Sequence, residues 1–268
     1  MSWLEALLLG LIQGIAEFLP ISSDGHLALA ALLFDVEEGS LTLTVMLHIG
    51  TLFATALILR RRLGLALADG LRALTSPSLF KTTAGGRDAL FVVLASIPTA
   101  LIGLTLRDAV EAWTHSPTAI GWGFLATAVC LLASIWARTG AQESPGWSGA
   151  LAVGAMQGLA VLPGVSRSAL TITCLLFLGL TRARAFELSM LMSIPAVFGA
   201  VLLEFPRAMR EIQGLGMAAF ATAIAFTSGA LALLSLRRVV VSGSFAWFAL
   251  WVGPLALATL ALARSWPG

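Results

Sequence analysis

The sequence predicts an all-α protein that crosses a membrane several times. Of its 268 residues, 58% are hydrophobic and 11% are charged, and the mean hydropathy is +0.94. A water-soluble domain carries about 25% charged residues, so this composition argues against a soluble globule and a disordered chain. The formal charge of +2 is too small to indicate a nucleic-acid partner. We therefore treat the chain as a polytopic integral membrane protein.

Six apolar stretches have the length that a membrane crossing requires. A helix needs about 20 apolar residues to cross the hydrocarbon core of a bilayer. We predict one full transmembrane helix in each of the residue ranges 41–60, 88–106, 118–137, 184–204, 215–236 and 244–263.

Two further apolar regions are interrupted by polar breaks. Residues 2–34 are broken at Pro20 to Gly25, and residues 147–180 are broken at Pro163 to Ser168. The pieces that follow the breaks are residues 24–34 and 167–180. Each is too short to cross the membrane alone. We predict that both regions form re-entrant helical hairpins, which enter and leave the membrane on the same side. Irregular backbone at that depth must face protein or a water-filled cavity, so each break is expected to line a cavity.

The distribution of Lys and Arg predicts an orientation, because short cytoplasmic loops are enriched in them. Eleven fall on one side of the predicted layout: Arg60, Arg61, Arg62, Arg72, Lys81, Arg87, Arg138, Arg182, Arg184, Arg237 and Arg238. Four fall on the other: Arg107, Arg207, Arg210 and Arg264. The N-terminus and the segment Asp35 to Ser40 are then expected outside. The first hairpin would enter from outside and the second from the cytoplasm, so that their tips meet.

A short internal repeat supports this arrangement. The motif Gly10-x-x-Gln13-Gly14-x-Ala16 recurs 144 residues later as Gly154-x-x-Gln157-Gly158-x-Ala160. Chance similarity between two helices rich in Gly and Ala is the alternative. Related halves in opposite orientations are typical of inverted-repeat membrane folds, whose sites lie between the repeats. We predict a single membrane domain, residues 1–268, with halves 1–140 and 141–268.

The first break carries a carboxylate in a membrane segment. Gln13 and Glu17 are four residues apart and share one helix face, and Pro20 ends that helix. The next helix can be capped by Ser22, Ser23 or Asp24. Its free N–H groups favour an anion. For Asp24, a cap alone is the simpler interpretation.

A nucleophile and a base are also available at this break. Ser23 and His26 are three residues apart and can face each other if the second helix has begun by Ser23. A hydroxyl, a carboxylate and an imidazole together are what nucleophilic or acid–base chemistry requires. We interpret His48, inside an apolar span, as a packed histidine without a catalytic role.

The second break is typical of a phosphate cradle. Gly164 permits a turn, and Ser166 can cap the following helix. Arg167 adds a charged, planar donor suited to phosphate. We predict that the phosphate oxygens are bound by the hydroxyl groups of Ser22, Ser166, Ser168 and Thr171 and by the backbone amide of Gly164.

Less specific interpretations stand beside this one. Glu17 and Arg167 could form a structural ion pair between the hairpins, and Ser and Thr often bond only to backbone in membrane helices. A charge at mid-bilayer costs about 2.5–3.5 kcal/mol on insertion scales, which favours function over structure for this pair. A transporter or flippase of a phosphorylated lipid is the other functional class, since transporters also bind anions at broken helices.

Three motifs together resemble the undecaprenyl pyrophosphate phosphatase family, bacterial membrane enzymes associated with bacitracin resistance. They are (E/Q)xxxE at Gln13 to Glu17, FLPxSSxGH at Phe18 to His26, and PGxSRSxxT at Pro163 to Thr171. The resemblance implies hydrolysis of C55 isoprenyl pyrophosphate to the monophosphate, which recycles the lipid carrier of cell-wall synthesis. It also implies an inverted-repeat fold in the bacterial inner membrane, a site open to the outer side, and dependence on a divalent cation, Mg²⁺ or Ca²⁺.

The resemblance further implies individual roles. Glu17 is the key carboxylate, Ser23 the nucleophile, His26 its neighbour and Arg167 the phosphate-binding arginine. Gln13 stands where many relatives have Glu, and Asp24 could supply the missing charge, so the cation ligands are expected among Glu17, Gln13 and Asp24. The expected partners are the isoprenyl pyrophosphate and membrane lipids, bacitracin only through that substrate, and a second copy of the chain in a homodimer.

Overall fold

Helices account for nearly all of the regular structure. A computed structural model describes residues 2–34, 41–208, 210 and 215–265, and within these ranges the chain forms thirteen α-helices and two short 3₁₀ helices. The α-helices are α1 (Trp3–Phe18), α2 (Ser23–Phe34), α3 (Leu41–Ile58), α4 (Arg60–Ala73), α5 (Leu79–Thr82), α6 (Ala84–Thr105), α7 (Arg107–Thr114), α8 (Pro117–Ala133), α9 (Gly146–Leu159), α10 (Arg167–Phe177), α11 (Arg182–Ala208), α12 (Leu215–Ser242) and α13 (Ala249–Ser265).

The prediction of six membrane-spanning helices is confirmed by length and composition. Among the described residues, six helical segments are long and apolar enough to cross a membrane: Leu41–Ile58, Ala84–Thr105, Pro117–Trp136, Arg182–Ala208, Gly216–Ser242 and Phe245–Arg264. Helices α11 and α12 extend beyond the predicted ranges to 27 and 28 residues. The segment Asp35 to Ser40, which we predict on the outer side, lies outside the described residues.

Both predicted breaks occur where the sequence places them. The first separates α1 from α2 and contains Ser22 with a φ of 68°, and the second separates α9 from α10 and contains Gly164 with a φ of 84°. The Gly25 N–H donates to Ser22 Oγ at 3.3 Å, so Ser22 is the cap among the three candidates. A side chain in this left-handed region costs about 1–3 kcal/mol and is found mainly at functional sites.

The repeated glycines allow two close helix contacts. Gly10 and Gly14 face α12, where a Cβ added to Gly14 would lie 2.6 Å from the Ala225 carbonyl oxygen. In the second copy of the motif, Gly154 and Gly158 face α6 in the same way. Small residues spaced four apart let membrane helices approach closely. Each copy of the motif therefore serves to seat the helix that precedes a break.

A cluster of charges ties four elements together at the end of the molecule opposite α7. Asp88 of α6 is 1% exposed and bonds to the Arg184 guanidinium of α11. Arg62 of α4 lies 3.7 Å from Asp88 and 3.2 Å from Glu187 of α11, and Glu143 of the loop before α9 lies 3.5 Å from Arg184. The two arginines of the cluster, Arg62 and Arg184, are both among the eleven basic residues that we predict on the cytoplasmic side. Their shared contacts agree with that prediction.

We predict that Asp88→Ala destabilises the fold by about 3–5 kcal/mol, because it leaves the buried Arg184 guanidinium without its main partner. Thermal unfolding in detergent, followed by circular dichroism, measures the loss. Glu143→Ala is the matched control, since Glu143 pairs with the same arginine but its side chain is 64% exposed; it should cost no more than about 1 kcal/mol. Equal losses in both variants would contradict the assignment of Asp88 as the buried anchor.

Candidate active site

The two breaks meet at a cavity of about 500 Å³. Its wall combines polar and apolar side chains from α1, α2, α3, α6, α7, α9, α10 and α11. The polar and charged residues that line it are Glu17, Ser22, Ser23, Asp24, His48, Ser96, Thr99, Arg107, Gln157, Ser166, Arg167 and Glu204. Because both breaks contribute, the prediction that each break lines a cavity is confirmed.

Direct backbone contact holds the breaks together. A Cβ added to Gly25 would lie 2.6 Å from Gly164 Cα, so the start of α2 rests against the second turn. Thr127 of α8 fixes that turn, since its hydroxyl donates to the Gly164 carbonyl at 2.9 Å and accepts the Ser166 N–H at 2.8 Å. Sequence reasoning missed Thr127, because an isolated threonine in an apolar span carries no local signal.

Glu17 is the centre of the polar network. One carboxylate oxygen, Oε1, accepts a hydrogen bond from Arg167 at 2.7 Å. The other, Oε2, accepts from the Gln13 amide at 3.2 Å and from the Ser23 hydroxyl at 3.4 Å. The structure thus brings the predicted carboxylate, hydroxyl and guanidinium together, with Glu17 and Arg167 side chains only 9% and 15% exposed.

Arg167 has capacity left for a ligand. Its NH2 group donates to Glu17, while its buried NH1 group meets no acceptor among the residues that the structure describes. The side chain lines the cavity, and guanidinium groups bind phosphate through two parallel hydrogen bonds. Arg167 therefore suits an anion that enters the cavity, as predicted from its place in the second break.

The expected pairing of Ser23 with His26 is wrong. The His26 Nε2 accepts the Trp251 indole N–H at 3.1 Å, and its Nδ1–H donates to the Ser22 carbonyl at 2.9 Å. An indole is a donor only, so this arrangement commits both ring nitrogens. His26 also stacks on Trp251 of α13, with ring centroids 6.3 Å apart. The spacing predicts the imidazole beside Ser23, but a hydrogen bond from Trp251, which is far away in sequence, orients the ring differently.

A different histidine faces Glu17. His48 of α3 lines the cavity, and its Nε2 lies 3.5 Å from the Gln13 amide nitrogen and 3.9 Å from Glu17 Oε2. Its Nδ1 lies 2.9 Å from the Thr44 carbonyl, which orients the ring. We interpret His48 from the sequence as a packed histidine without a catalytic role; the structure places it on the cavity wall beside Glu17. An ionisable residue inside an apolar span was the available signal.

Two of the hydroxyls predicted for phosphate binding lie on the cavity wall. Ser22 and Ser166 both line the cavity and both cap a helix. The N–H of Ala169 donates to Ser166 Oγ at 3.3 Å. The free N–H groups of the α2 and α10 first turns therefore lie beside the cavity, where they favour negative charge.

The other three predicted phosphate ligands lie off the cavity wall. Thr171 is fully buried, with its hydroxyl 2.8 Å from the Arg167 carbonyl and 2.6 Å from Ser189 Oγ. Ser168 is 2% exposed and lies against the cap of α10. Gly164 shapes the turn. Consecutive residues of a helix point in different directions, so Arg167 reaches the cavity while Ser168 faces the protein. Thr171 lies one turn farther along the same face as Arg167, but there the face is covered by Ser189 of α11.

Of the three predicted cation ligands, Glu17 and Asp24 are on the cavity wall and Gln13 is not. Gln13 presents its amide N–H to Glu17, and an N–H group cannot ligate a cation. The described part of the chain contains no group of three or more His, Cys, Asp and Glu side chains arranged for a metal. Glu17 and Asp24 both line the cavity. Mg²⁺ is commonly held by one or two carboxylates together with substrate phosphates, and these two residues fit that pattern.

A second ion pair lies in the cavity wall farther from the breaks. Arg107, at the start of α7, bonds Glu204 of α11 at 2.6 Å, and both line the cavity. The Arg107 side chain is 48% exposed, so this part of the cavity reaches the surface. Arg107 belongs to the group of arginines that we predict on the outer side.

Fold and site define a class: a helical membrane protein with a cavity in which a guanidinium, a hydroxyl and a carboxylate lie together. Comparison with known protein families identifies the family within this class. The pattern that describes the family "Bacitracin resistance protein BacA" matches residues 6–258, and the chain belongs to this family.

Three similar proteins are each named undecaprenyl-diphosphatase. The chain is 38% identical over 262 residues to an undecaprenyl-diphosphatase from Desulfatibacillum aliphaticivorans, covering 93% of this chain and 94% of that protein. It is 40% identical over 273 residues to an undecaprenyl-diphosphatase from Ruegeria pomeroyi, covering 99% and 100%. A third, from Carboxydothermus hydrogenoformans, is 34% identical over 269 residues, covering 98% of both.

We predict that Arg167→Ala weakens binding of inorganic pyrophosphate at least about tenfold, because hydrogen bonds to a charged group contribute about 1.5–3 kcal/mol. Calorimetric titration of the detergent-solubilised protein at fixed ionic strength measures the affinity. Arg138→Ala removes an equal charge from an exposed loop and should leave it unchanged. Arg167→Lys keeps the ion pair with Glu17 and should fall between. Equal affinity for wild type and Arg167→Ala would exclude Arg167 as the anion ligand.

Proposed function

We propose that this protein is a membrane phosphatase that hydrolyses undecaprenyl diphosphate to undecaprenyl phosphate and inorganic phosphate. The observation that carries the proposal is the contact of Glu17 with both Ser23 and Arg167 inside one cavity. The relatives named undecaprenyl-diphosphatase and the family name support it. The reaction returns the lipid carrier to cell-wall synthesis, and a bacitracin-resistance family fits that role.

The two parts of the cavity suit the two parts of such a substrate. The polar end of the cavity lies at Glu17, Ser23 and Arg167. Apolar side chains form much of the remaining wall, among them Ala100, Leu104, Val161, Val197, Ala200 and Leu203. The diphosphate then binds at the breaks while the isoprenyl chain follows the apolar wall toward the surrounding lipid.

The mechanism begins with attack by Ser23 on the terminal phosphorus. As the Oγ–phosphorus bond forms, the hydroxyl proton passes to Glu17 Oε2, 3.4 Å away. The bond from that phosphorus to the bridging oxygen breaks, and undecaprenyl phosphate leaves with the electron pair and takes the proton from Glu17. Glu17 is then a carboxylate again and can accept a proton from water. Arg167 and the N-termini of α2 and α10 stabilise the charge on the phosphoryl oxygens. Water then cleaves the phosphoserine and restores the hydroxyl.

Direct attack by water is the alternative route. Glu17 would accept the water proton in place of the serine proton, and Ser23 would only hydrogen-bond to the phosphate. His48, 3.9 Å from Glu17 Oε2, replaces His26 in both routes as the histidine that orients or relays a proton at this carboxylate.

A divalent cation forms part of this proposal. When bound, it would neutralise phosphate charge and polarise the terminal phosphoryl group. Glu17 and Asp24 are the residues that would hold it, with further oxygen ligands from the diphosphate.

The proposal includes an orientation in the bacterial inner membrane. Helices α1–α2 and α9–α10 are re-entrant hairpins of an inverted repeat, and the cavity opens to the periplasmic side. The paired contacts support this symmetry, since α1 packs on α12 and α9 packs on α6. Arg107 and Glu204 at the exposed part of the cavity support the outward opening. A homodimer, and bacitracin contact through the substrate, stay predictions.

We predict that Ser23→Ala and Glu17→Gln each lower phosphate release from undecaprenyl diphosphate by at least about 10²-fold, the usual contribution of a nucleophile or general base. His48→Gln should lower it by about tenfold or more. The assay uses purified protein in detergent, with and without a chelator. Chelation should abolish release in the wild type.

His115→Gln is the matched control for His48→Gln, because His115 is exposed in the loop before α8; its rate should equal the wild-type rate. Terminally labelled substrate and a rapid acid quench test the route, and label on Ser23 supports the covalent one. Lipid movement without phosphate release would instead make the protein a transporter.

We predict that cysteines placed at 147 and 182 both react with a membrane-impermeant maleimide only from the cytoplasmic side, because α9 and α10 form a re-entrant hairpin. The new cysteines are introduced into a variant in which Cys130 and Cys174 are replaced. Positions 147, 182 and 115 are suitable because Trp147, Arg182 and His115 are exposed. His115→Cys should react only from the periplasmic side. Labelling of 147 and 182 from opposite sides would rule out the hairpin.

A further inference from the structure

Gln157 is a buried polar residue in the cavity wall that the proposed mechanism does not use. It lies on α9, is 3% exposed and faces the same cavity as Glu17, Ser23 and Arg167. It is also the residue that corresponds to Gln13 in the internal repeat.

Hydrogen bonds fix which way its amide points. The Gln157 Nε2 donates to the Met192 carbonyl at 3.4 Å and to Thr99 Oγ1 at 3.3 Å. A carbonyl only accepts. The Thr99 hydroxyl can donate to the carbonyl of Ala95 or Gly154, at 2.8 and 2.9 Å, so it is free to accept from the amide. The nitrogen must occupy this position, because an oxygen there would face the Met192 carbonyl.

The carbonyl oxygen of the same amide is left over. Gln157 Oε1 is buried and has no donor within hydrogen-bond distance among the residues that the structure describes. A buried acceptor without a donor is unfavourable, and such groups in native proteins call for an explanation. A group on a cavity wall that is held by two other bonds is well placed to receive a donor from a ligand.

The chemistry of the reaction identifies that donor. Ionised diphosphate oxygens accept hydrogen bonds, and the isoprenyl chain has no polar hydrogen. Water is the reactant that brings O–H donors into the cavity. Since hydrolysis needs one water oriented toward phosphorus, a fixed acceptor is more useful than a mobile one.

We propose that Gln157 Oε1 binds the water molecule that attacks phosphorus, an inference that rests on the proposed hydrolase function. The water oxygen forms a bond to the terminal phosphorus. The bond that breaks runs to Ser23 Oγ in the covalent route or to the bridging oxygen in the direct one, and that oxygen keeps the electron pair. One water proton passes to Glu17, which returns it to Ser23 in the covalent route, and the amide is unchanged.

Steady-state kinetics with undecaprenyl diphosphate test the assignment. Gln157→Leu keeps the side-chain size but removes the acceptor, so kcat should fall at least about 10²-fold, since a single fixed hydrogen bond in a transition state is worth that much. KM should not rise: it stays within about threefold in the direct route, and it falls together with kcat in the covalent route because the phosphoserine accumulates. Gln142→Leu makes the same change at an exposed position and should leave both constants unchanged. Inorganic pyrophosphate binding should be retained by Gln157→Leu.

Gln157→Glu supplies a second variant for the case in which the leucine protein does not fold. Only the protonated carboxyl can donate to the Met192 carbonyl and still offer an oxygen to water. The activity of this variant relative to wild type at the same pH should therefore rise as the pH is lowered. A packing role alone predicts no such rescue.

The outcomes separate the two proposals. Absence of phosphate release by the wild type would overturn the proposed function. Wild-type activity together with a kcat within twofold in Gln157→Leu would overturn the role of Gln157. A rise in KM with unchanged kcat would also overturn it, because the residue would then contact the substrate and not the attacking water.

Discussion

The ion pair between Glu17 and Arg167 is the contact on which the rest of the site depends. It joins two chain breaks that are 150 residues apart in sequence, and it neutralises two charges that would be costly in an apolar surrounding. A structural and a functional interpretation of the pair therefore coincide. An anion that enters the cavity can bind the free NH1 group of Arg167 while the NH2 group stays on Glu17. The contact that joins the two breaks thus also positions the group that an anion would meet.

Close packing of small residues makes this contact possible. The glycines of the repeated motif seat α1 on α12 and α9 on α6, and Gly25 rests directly on Gly164. Side chains at these positions would separate the helices by more than a hydrogen bond can span. Ser22 and Gly164 then take the left-handed backbone that each turn requires. Helix packing thus places two irregular segments side by side, and their caps and N–H groups face one cavity.

The candidate site was predictable wherever its residues lie close in sequence. Gln13 and Glu17 share a helix face, and Ser22 and Ser166 cap the helices that follow the breaks, because these relations depend on local spacing. His26 shows the limit of such reasoning, since its ring is oriented by Trp251, 225 residues away. His48, Thr127 and Gln157 belong to the same limit. Each meets the site across separate helices, so local spacing did not show its neighbours, even though the repeat marks Gln157 and an ionisable side chain in an apolar span marks His48.

By itself the sequence determined the helical class, the six spans and the positions of both breaks, because hydrophobic length, Pro and Gly act within a few residues. It also marked Glu17 and Arg167, since charges are rare in apolar segments. Tertiary structure alone decided which side chains share the cavity. Whether Ser168 or Arg167 points inward, and which histidine faces Glu17, depends on how whole helices rotate when they pack. That rotation optimises the packing contacts over the full length of each helix, so it cannot be read from any short segment.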